Sequence, residues 1–295
     1  MELKLPNSRV GGSSETVLID TCQNSIQNPG ATLVFGEIHQ LIEVIHSVGW
    51  NRIGHANSSC GDNMLEKVAD NIWLAEGDLV NFHGFAYPTR SVIVQLAGDN
   101  LWVWSPIQLS GSLQAAIDRL GMVRHLVSPN KIHHLFLSDW HAAYPEALLW
   151  GPKSTIEKES ELNFEGALTD SPPPEWNEEF DQVWFNGSKF MDEIVFFHRA
   201  SRTVILADLS ENFSNEFLRA NWRTWQIWLA KIWGIVEGRG YAPLEWRFTF
   251  FDRQATRAAR DQVLAWNATQ VIMAHGEWQS VDGHSYLERS FSWIR

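Results

Sequence analysis

The stretch that decides the fold is Ser128-Pro129-Asn130-Lys131-Ile132-His133-His134-Leu135. It follows an apolar run at residues 123–127 and precedes residues 136–140, which begin a helical pattern. A β-branched run that stops at Ser-Pro-Asn and continues into such a pattern predicts a strand, a loop and a helix. The polar groups then lie at the carboxyl end of the strand, where α/β folds place their sites.

Two adjacent histidines, His133 and His134, are the chemically distinctive part of this loop. Neutral imidazole is the commonest metal-binding side chain, and two imidazoles on one loop could reach the same ion. Adjacent histidines have a purely structural role about as often as they bind a metal ion, so a metal site requires further ligands elsewhere in the chain.

Composition limits the classes of function. The chain has 295 residues, of which 44% are hydrophobic and 20% charged, as expected for one large globular domain or two small ones. A net charge of -12 with scattered basic residues argues against a nucleic-acid partner. There is no signal-peptide pattern and no apolar run of about 20 residues, so we expect a cytoplasmic protein without a membrane span. Cys22 and Cys60 are too few for a disulfide framework and lack the spacing of a zinc knuckle.

The order of patterns along the chain predicts two parts. Residues 1–65 form a partly irregular N-terminal extension, and residues 66–295 form the main domain. Within the main domain, runs at 91–96 and 101–104 are joined by Gly98-Asp99-Asn100, which predicts a hairpin.

Strands and helices then alternate. Strands are predicted at 123–127, 148–150, 182–185, 193–197, 203–206, 246–251 and 270–274, and helices at 113–120, 140–144, 217–236, 253–266 and 286–294. The polar, Pro-rich residues 153–180 predict a long surface excursion. Strands in two separated halves with flanking helices indicate an α/β protein with two sheets packed face to face and helices outside.

The predicted helix 217–236 is rich in tryptophan. Its apolar residues recur at three- and four-residue steps on one face, which suits packing on the sheet or a homodimer contact. Interfacial membrane binding is the alternative, but Arg219, Arg223 and Lys231 are fewer cations than such helices usually carry.

Three sets of possible ligands occupy equivalent positions in this pattern, because each follows a predicted apolar strand. They are the pair His133 and His134, then Asp208, and then His275. Strand ends on one edge of a sheet sandwich converge, so we expect these groups to meet. Imidazoles with a carboxylate are a ligand set for zinc, iron or manganese.

The chain resembles the metallo-β-lactamase superfamily and, more closely, its DUF4336 branch, over roughly residues 71–295. The motifs that carry the resemblance are Asn71-Ile72-Trp73, Tyr87-Pro88-Thr89-Arg90, Ser128 to Leu137, Tyr144-Pro145-Glu146-Ala147, Pro173-Pro174-Glu175-Trp176, Asp192 to His198, Leu206-Ala207-Asp208-Leu209 and Met273-Ala274-His275-Gly276. The resemblance implies a four-layer αββα sandwich.

The superfamily's metal ligands are only partly present. When the Asp-His pair of the superfamily's HxHxDH loop is aligned with His133-His134, the two earlier histidines of that motif fall on Pro129 and Lys131. The superfamily's later Gly-His motif falls near residues 187–189, where this chain has no histidine. Its strand-end aspartate and final histidine match Asp208 and His275. The resemblance therefore implies one divalent ion, zinc or iron with manganese as a further alternative, held by these two residues with His133 and His134.

Such a site suits a metal-dependent hydrolase acting on a small ester, thioester, amide or phosphoester, with Asp208 also orienting the attacking water. Arg90, with Tyr87 beside it, is a candidate for binding a substrate anion, although Arg90 could equally pair with a carboxylate. His198 is assigned a supporting or structural role near the site.

Two other functions stay open. One is a mononuclear iron redox enzyme, because a His/carboxylate set with open positions also suits Fe(II). The other is a catalytically inactive binding or scaffold protein on the same fold. The sequence contains no GxSxG, GxxxxGK[ST] or GxGxxG motif that would favour other chemistries.

Overall fold

The computed structural model describes residues 64–295 and the backbone of residues 51–52. The predictions made for residues 1–50 and 53–63, including both cysteines, lie outside the described residues.

The strands are β1 (Asn51–Arg52), β2 (Glu66–Ala69), β3 (Ile72–Phe82), β4 (Phe85–Gln95), β5 (Asn100–Trp104), β6 (Met122–Val127), β7 (Leu148–Gly151), β8 (Phe164–Ala167), β9 (Phe180–Phe185), β10 (Glu193–His198), β11 (Thr203–Leu206) and β12 (Gln270–Met273). The α-helices are α1 (Gly111–Leu120), α2 (Leu137–Ala143), α3 (Lys153–Lys158), α4 (Asn215–Asn221), α5 (Thr224–Trp233), α6 (Leu244–Arg247), α7 (Arg253–Ala265) and α8 (Gly283–Ser290).

The strands form two sheets within the described part of the chain. The first has the order β1-β3-β4-β5-β6-β7-β8, with β2 also paired to β3. It is antiparallel from β3 to β5 and parallel from β5 to β8. The second has the order β12-β11-β10-β9, in which only β11 and β12 run parallel. The predicted hairpin between β4 and β5 is confirmed.

A shared apolar core lies between the sheets. It combines buried side chains of both sheets, among them Trp102 of β5 and Phe196 of β10, whose rings are 5.0 Å apart. Phe180 of β9 lies 4.6 Å from the Trp102 ring. Successive side chains of a strand point to opposite faces of its sheet. The apolar side chains on the face away from this core therefore pack against helices, in one separate cluster for each sheet. The predicted four-layer αββα sandwich is confirmed.

Three sequence-based predictions of local structure are wrong. The predicted helix 217–236 is two helices, because Trp222 is extended (φ -115°, ψ 146°) and its indole donates a hydrogen bond to Ala86 O at 2.7 Å. The predicted strand 246–251 begins instead as α6, which follows Pro243. Residues 153–180 contain α3 and β8, and Trp176 is fully buried there.

None of the helices in the described part of the chain has the length and apolar content that a membrane crossing needs. The boundary predicted at residue 65 stays a prediction. A homodimer contact through residues 217–236 also stays a prediction, although Trp225, Trp228 and Ile232 of α5 are exposed.

The core between the sheets predicts a contrast between two phenylalanines. Phe196→Ala should lower the free energy of unfolding by about 3–5 kcal/mol, because it leaves a cavity among fully buried rings. Phe248→Ala, at a residue that is 67% exposed, should change it by less than about 0.5 kcal/mol. Urea denaturation of both variants measures the difference, and equal losses would contradict the assignment of Phe196 to the core.

Candidate metal centre

Three strand ends bring three possible metal ligands together. His133 lies in the loop after β6, Asp208 two residues after β11, and His275 two residues after β12. Their ligand atoms all lie within 4.8 Å of one another. Asp208 Oδ2 is 3.2 Å from His133 Nε2, and Asp208 Oδ1 is 3.3 Å from His275 Nε2. All three side chains are at least nine-tenths buried.

Asn130 shapes the loop and connects it to the second sheet. Its Oδ1 accepts hydrogen bonds from the backbone N–H groups of Ile132 and His133, at 3.0 and 3.2 Å. Its amide therefore faces the carboxylates, donating to Asp208 Oδ2 at 2.7 Å and to Glu193 Oε2 at 3.2 Å. Four hydrogen bonds thus fix Asn130, and with it the position of His133.

Glu193 holds the backbone on which Asp208 stands. This fully buried residue begins β10, and its two carboxylate oxygens accept the N–H groups of Ala207 and Asp208, each at 2.8 Å. Burial, followed by repulsion from Asp208, raises the pKa of Glu193 to about 8. Burial acts in the same direction on the pKa of Asp208, but His133 and His275 outweigh it and lower that pKa below its ordinary value.

The hydrogen bond at the far side of His275 fixes which ring nitrogen is available. His275 Nδ1 lies 2.8 Å from Pro88 O, and a carbonyl oxygen only accepts, so Nδ1 carries the hydrogen. Burial lowers the pKa of His275 despite the attraction of Asp208, which favours the neutral ring. In that form Nε2 has a lone pair facing an oxygen of Asp208. A cation between these two acceptors relieves their repulsion, so the residues fit a metal ion.

His133 is supported in a comparable way by Ser105. Ser105 Oγ lies 2.7 Å from His133 Nδ1, which leaves Nε2 toward Asp208. Ser105 directly follows β5 and has a left-handed backbone conformation, with φ of 49°. A non-glycine residue in that region is strained, and such strain is common at functional sites.

The structure does not bring His134 into this group. Its Nδ1 lies 2.6 Å from Glu159 Oε1, just beyond α3. Burial, with the nearby Lys158 and His133, lowers the pKa of His134 to about 4. His134 therefore joins the loop to α3, and we leave it out of the ligand set that we propose.

Arg90, one of the other residues predicted near the site, lies beside two of the candidate ligands. It lines a cavity of about 30 Å³ together with His133 and His275. Its Nε donates to Glu76 Oε1 at 2.6 Å and its Nη1 to Met273 O at 2.7 Å, so the alternative that it pairs with a carboxylate is observed.

Tyr87 and His198 have structural contacts. The Tyr87 hydroxyl donates to Glu211 at 3.3 Å, and its ring meets that of His275 edge to face at 5.0 Å. Burial, followed by Glu211, raises the pKa of Tyr87 well above its ordinary value. His198 ends β10, about 16 Å along the strand from Glu193, and its Nδ1 lies 2.8 Å from Ser201 Oγ in the following turn. His198 is therefore a turn residue away from the centre.

The sequence analysis missed Asn130, Glu193 and Ser105. Asn130 was read as a turn residue only, although an Asn between a strand and a histidine can hydrogen-bond the following backbone. Glu193 is an acid at the start of an apolar strand, a position where burial requires partners. No sequence signal marks Ser105.

The family model described as "Domain of unknown function (DUF4336)" matches residues 69–218, half of the chain. The chain belongs to the DUF4336 family. No curated protein matches by sequence.

Solved structures share the fold of this DUF4336 protein at low identity. The DIM-1 metallo-β-lactamase is 13% identical with a TM-score of 0.53, covering 78% of this chain and 95% of the lactamase. A metallo-β-lactamase from Erythrobacter litoralis is 13% identical with a TM-score of 0.54 and the same coverages. Rubredoxin oxygen:oxidoreductase from Desulfovibrio gigas is 10% identical with a TM-score of 0.54, covering 78% of this chain and 60% of that chain. The predicted metallo-β-lactamase fold and DUF4336 membership are confirmed.

The role of Asn130 gives a prediction of stability. Asn130→Ala removes the donors to two buried carboxylates, which should lower the free energy of unfolding by about 2–4 kcal/mol. Asn215→Ala, at an exposed position in the first turn of α4, is the matched control and should change it by less than about 0.5 kcal/mol. Chemical denaturation measures both values, and a small effect at Asn130 would refute its role as the link between loop and second sheet.

Proposed function

We propose that this protein binds one divalent metal ion through His133, Asp208 and His275 and acts as a hydrolase on a small ester, thioester, amide or phosphoester. The convergence of these three donors carries the proposal. The ion is zinc or iron, with manganese as a further alternative, because two imidazoles and a carboxylate suit all three. When bound, such an ion supplies a Lewis acid that polarises a carbonyl or phosphoryl group and lowers the pKa of a water.

The spacing of the donors supports binding of an ion. Ligand bonds of about 2.0–2.1 Å at tetrahedral angles put neighbouring donor atoms about 3.3 Å apart. Asp208 Oδ2 lies 3.2 Å from His133 Nε2, and Asp208 Oδ1 lies 3.3 Å from His275 Nε2, so each carboxylate oxygen is at this spacing from one imidazole nitrogen. Three protein ligands leave at least one position open, which is the arrangement of catalytic sites.

The residues of the chain have distinct parts in this proposal. Ser105 and the Pro88 carbonyl hold the two imidazoles with their Nε2 atoms toward Asp208. Asp208, which stays ionised because its pKa is lowered, supplies the negative charge of the site and orients the water. Arg90 stays a candidate for contact with the substrate because it lines the cavity, where its charge is balanced by Glu76.

The size of the cavity restricts the substrate. Its volume of about 30 Å³ corresponds to roughly one water molecule. The reacting group alone therefore fits beside His133 and His275, while the rest of the substrate stays outside. Val80, Ile107 and Phe136 give the cavity apolar walls that limit access of bulk water.

Metal content tests the ligand set. Protein purified without added metal should contain about one equivalent of ion, and His133→Ala or His275→Ala should weaken binding at least about tenfold. His134→Ala is the neighbouring control and should retain the ion. Elemental analysis by mass spectrometry and competition with a chelator provide the readouts. If the His133 and His275 variants keep the metal of the wild type, the proposal fails.

The alternative of a mononuclear iron redox enzyme is favoured by one observation. Two histidines and one carboxylate with open positions are the ligand set of non-haem Fe(II) oxygenases. Stoichiometric iron with oxygen uptake would favour this function. Hydrolysis of a panel of small activated esters, thioesters and phosphoesters by the zinc form, lost in His275→Ala, would favour the hydrolase. A metal-bound protein without either activity would indicate a binding or scaffold role.

A further inference from the structure

A second cavity lies apart from the candidate ligands. Its volume is about 260 Å³, far larger than the cavity beside His133. Six of its lining residues bear on its chemistry: Arg247, Arg253, Arg295, Phe250, Trp293 and Thr256. Cavities that hold small molecules are typically about 300–1,000 Å³, so this one lies just below the lower limit and could hold only a small ligand.

Positive charge converges on this cavity although the chain has a net charge of -12. Arg247, Arg253 and Arg295 all line it, and within residues 64–295 none of the three has a carboxylate oxygen within ion-pair distance. The nearby acids are Glu245, which attracts Arg247 electrostatically, and Asp252, whose carboxylate caps α7 through Ala255 N at 3.0 Å. Glu245 and Asp252 thus offset part of the arginines' charge without forming an ion pair with any of the three.

Arg247 is held in position at this cavity. Its Nη2 donates to Trp233 O at 2.6 Å, and its guanidinium lies over the Tyr241 ring at 5.1 Å. Arg247 Nε and Trp293 Nε1 are shielded from solvent, so a ligand in the cavity would contact other atoms of these two side chains.

The walls of the cavity are aromatic. Trp293 and Phe250 have ring centroids 5.2 Å apart at an interplanar angle of 56°. Aromatic faces at an angle offer an apolar surface to a planar ring, while guanidinium groups bind phosphate or carboxylate with paired donors. Both chemistries occur in one cavity.

We propose that this cavity is a binding site for a small anionic ligand that combines a planar ring with a phosphate or carboxylate group. The arginines bind the oxyanion, and Trp293 and Phe250 contact the ring. The lining residues include none of the candidate metal ligands, so the site is separate from the proposed hydrolase centre and does not depend on it.

Titration with four probes tests the site. Isothermal calorimetry and tryptophan fluorescence of the full chain should detect phenyl phosphate or benzoate with a Kd below about 1 mM. Inorganic phosphate and phenol, which each carry half of the chemistry, should bind at least about tenfold more weakly. Preference for phenyl phosphate identifies the oxyanion as a phosphate, and preference for benzoate identifies a carboxylate.

Variants tie binding to this cavity. Arg253→Gln and Arg295→Gln should each weaken binding of the preferred probe about tenfold or more, because a hydrogen bond to a charged group is lost. Trp293→Ala removes the ring and should weaken binding several-fold, because the aromatic contact is lost. Arg219→Gln, at an exposed position on α4 outside the cavity, is the matched control and should leave the Kd within about twofold.

The contrary results are distinct. No heat or fluorescence change with either ring-bearing anion at 10 mM, at roughly tenfold the expected Kd, would overturn the proposal. An equal Kd for phenol and phenyl phosphate would show that the arginines do not bind the oxyanion. Equal loss of binding in Arg219→Gln and Arg253→Gln would show that the anion binds to surface charge in general. Thermal melts of each variant establish that folding is intact.

Discussion

The candidate centre depends on the burial of two carboxylates, Asp208 and Glu193, within reach of one amide. Asn130 donates to both, and its own carbonyl oxygen fixes the loop that carries His133. Because the loop follows a strand of the first sheet and both acids belong to the second, these bonds join the two sheets at the edge where the site lies. A buried carboxylate is costly unless it is paired or hydrogen-bonded, and Asn130 supplies one hydrogen bond to each of the two acids. The proposed metal ion between Asp208 and the imidazoles would supply positive charge to this arrangement.

Most of the fold could be predicted because local patterns and the final packing agree. The β4–β5 hairpin and the strands near residues 123–127 and 203–206 are short apolar runs bounded by turn residues. The predictions failed where tertiary contacts override the pattern. The helical spacing of residues 217–236 continues across Trp222, but the hydrogen bond of its indole to β4 breaks the helix there. Residues 246–251 alternate as a strand would, yet Trp246 donates to Met191 O from a short helix.

The sequence allowed prediction only of those site residues that follow a strand. His133, Asp208 and His275 each follow an apolar run, so their convergence could be expected from the sequence. Adjacent residues in a loop point in different directions, and the sequence alone could not distinguish His133 from His134, which contacts Glu159 instead. Asn130, Glu193 and Ser105 act through hydrogen bonds between segments distant in sequence. Such partners depend on how the two sheets are packed and leave no local pattern.

Anomalous scattering, measured from crystals at the absorption edges of zinc, iron and manganese, would show directly whether His133, Asp208 and His275 bind an ion. We expect one peak, about 2.0–2.2 Å from the Nε2 atoms of the two histidines and from a carboxylate oxygen of Asp208. The absorption edge that gives the peak also identifies the element. An ion bound by other residues, or a metal-saturated crystal with no peak among these three side chains, would refute the proposed ligand set.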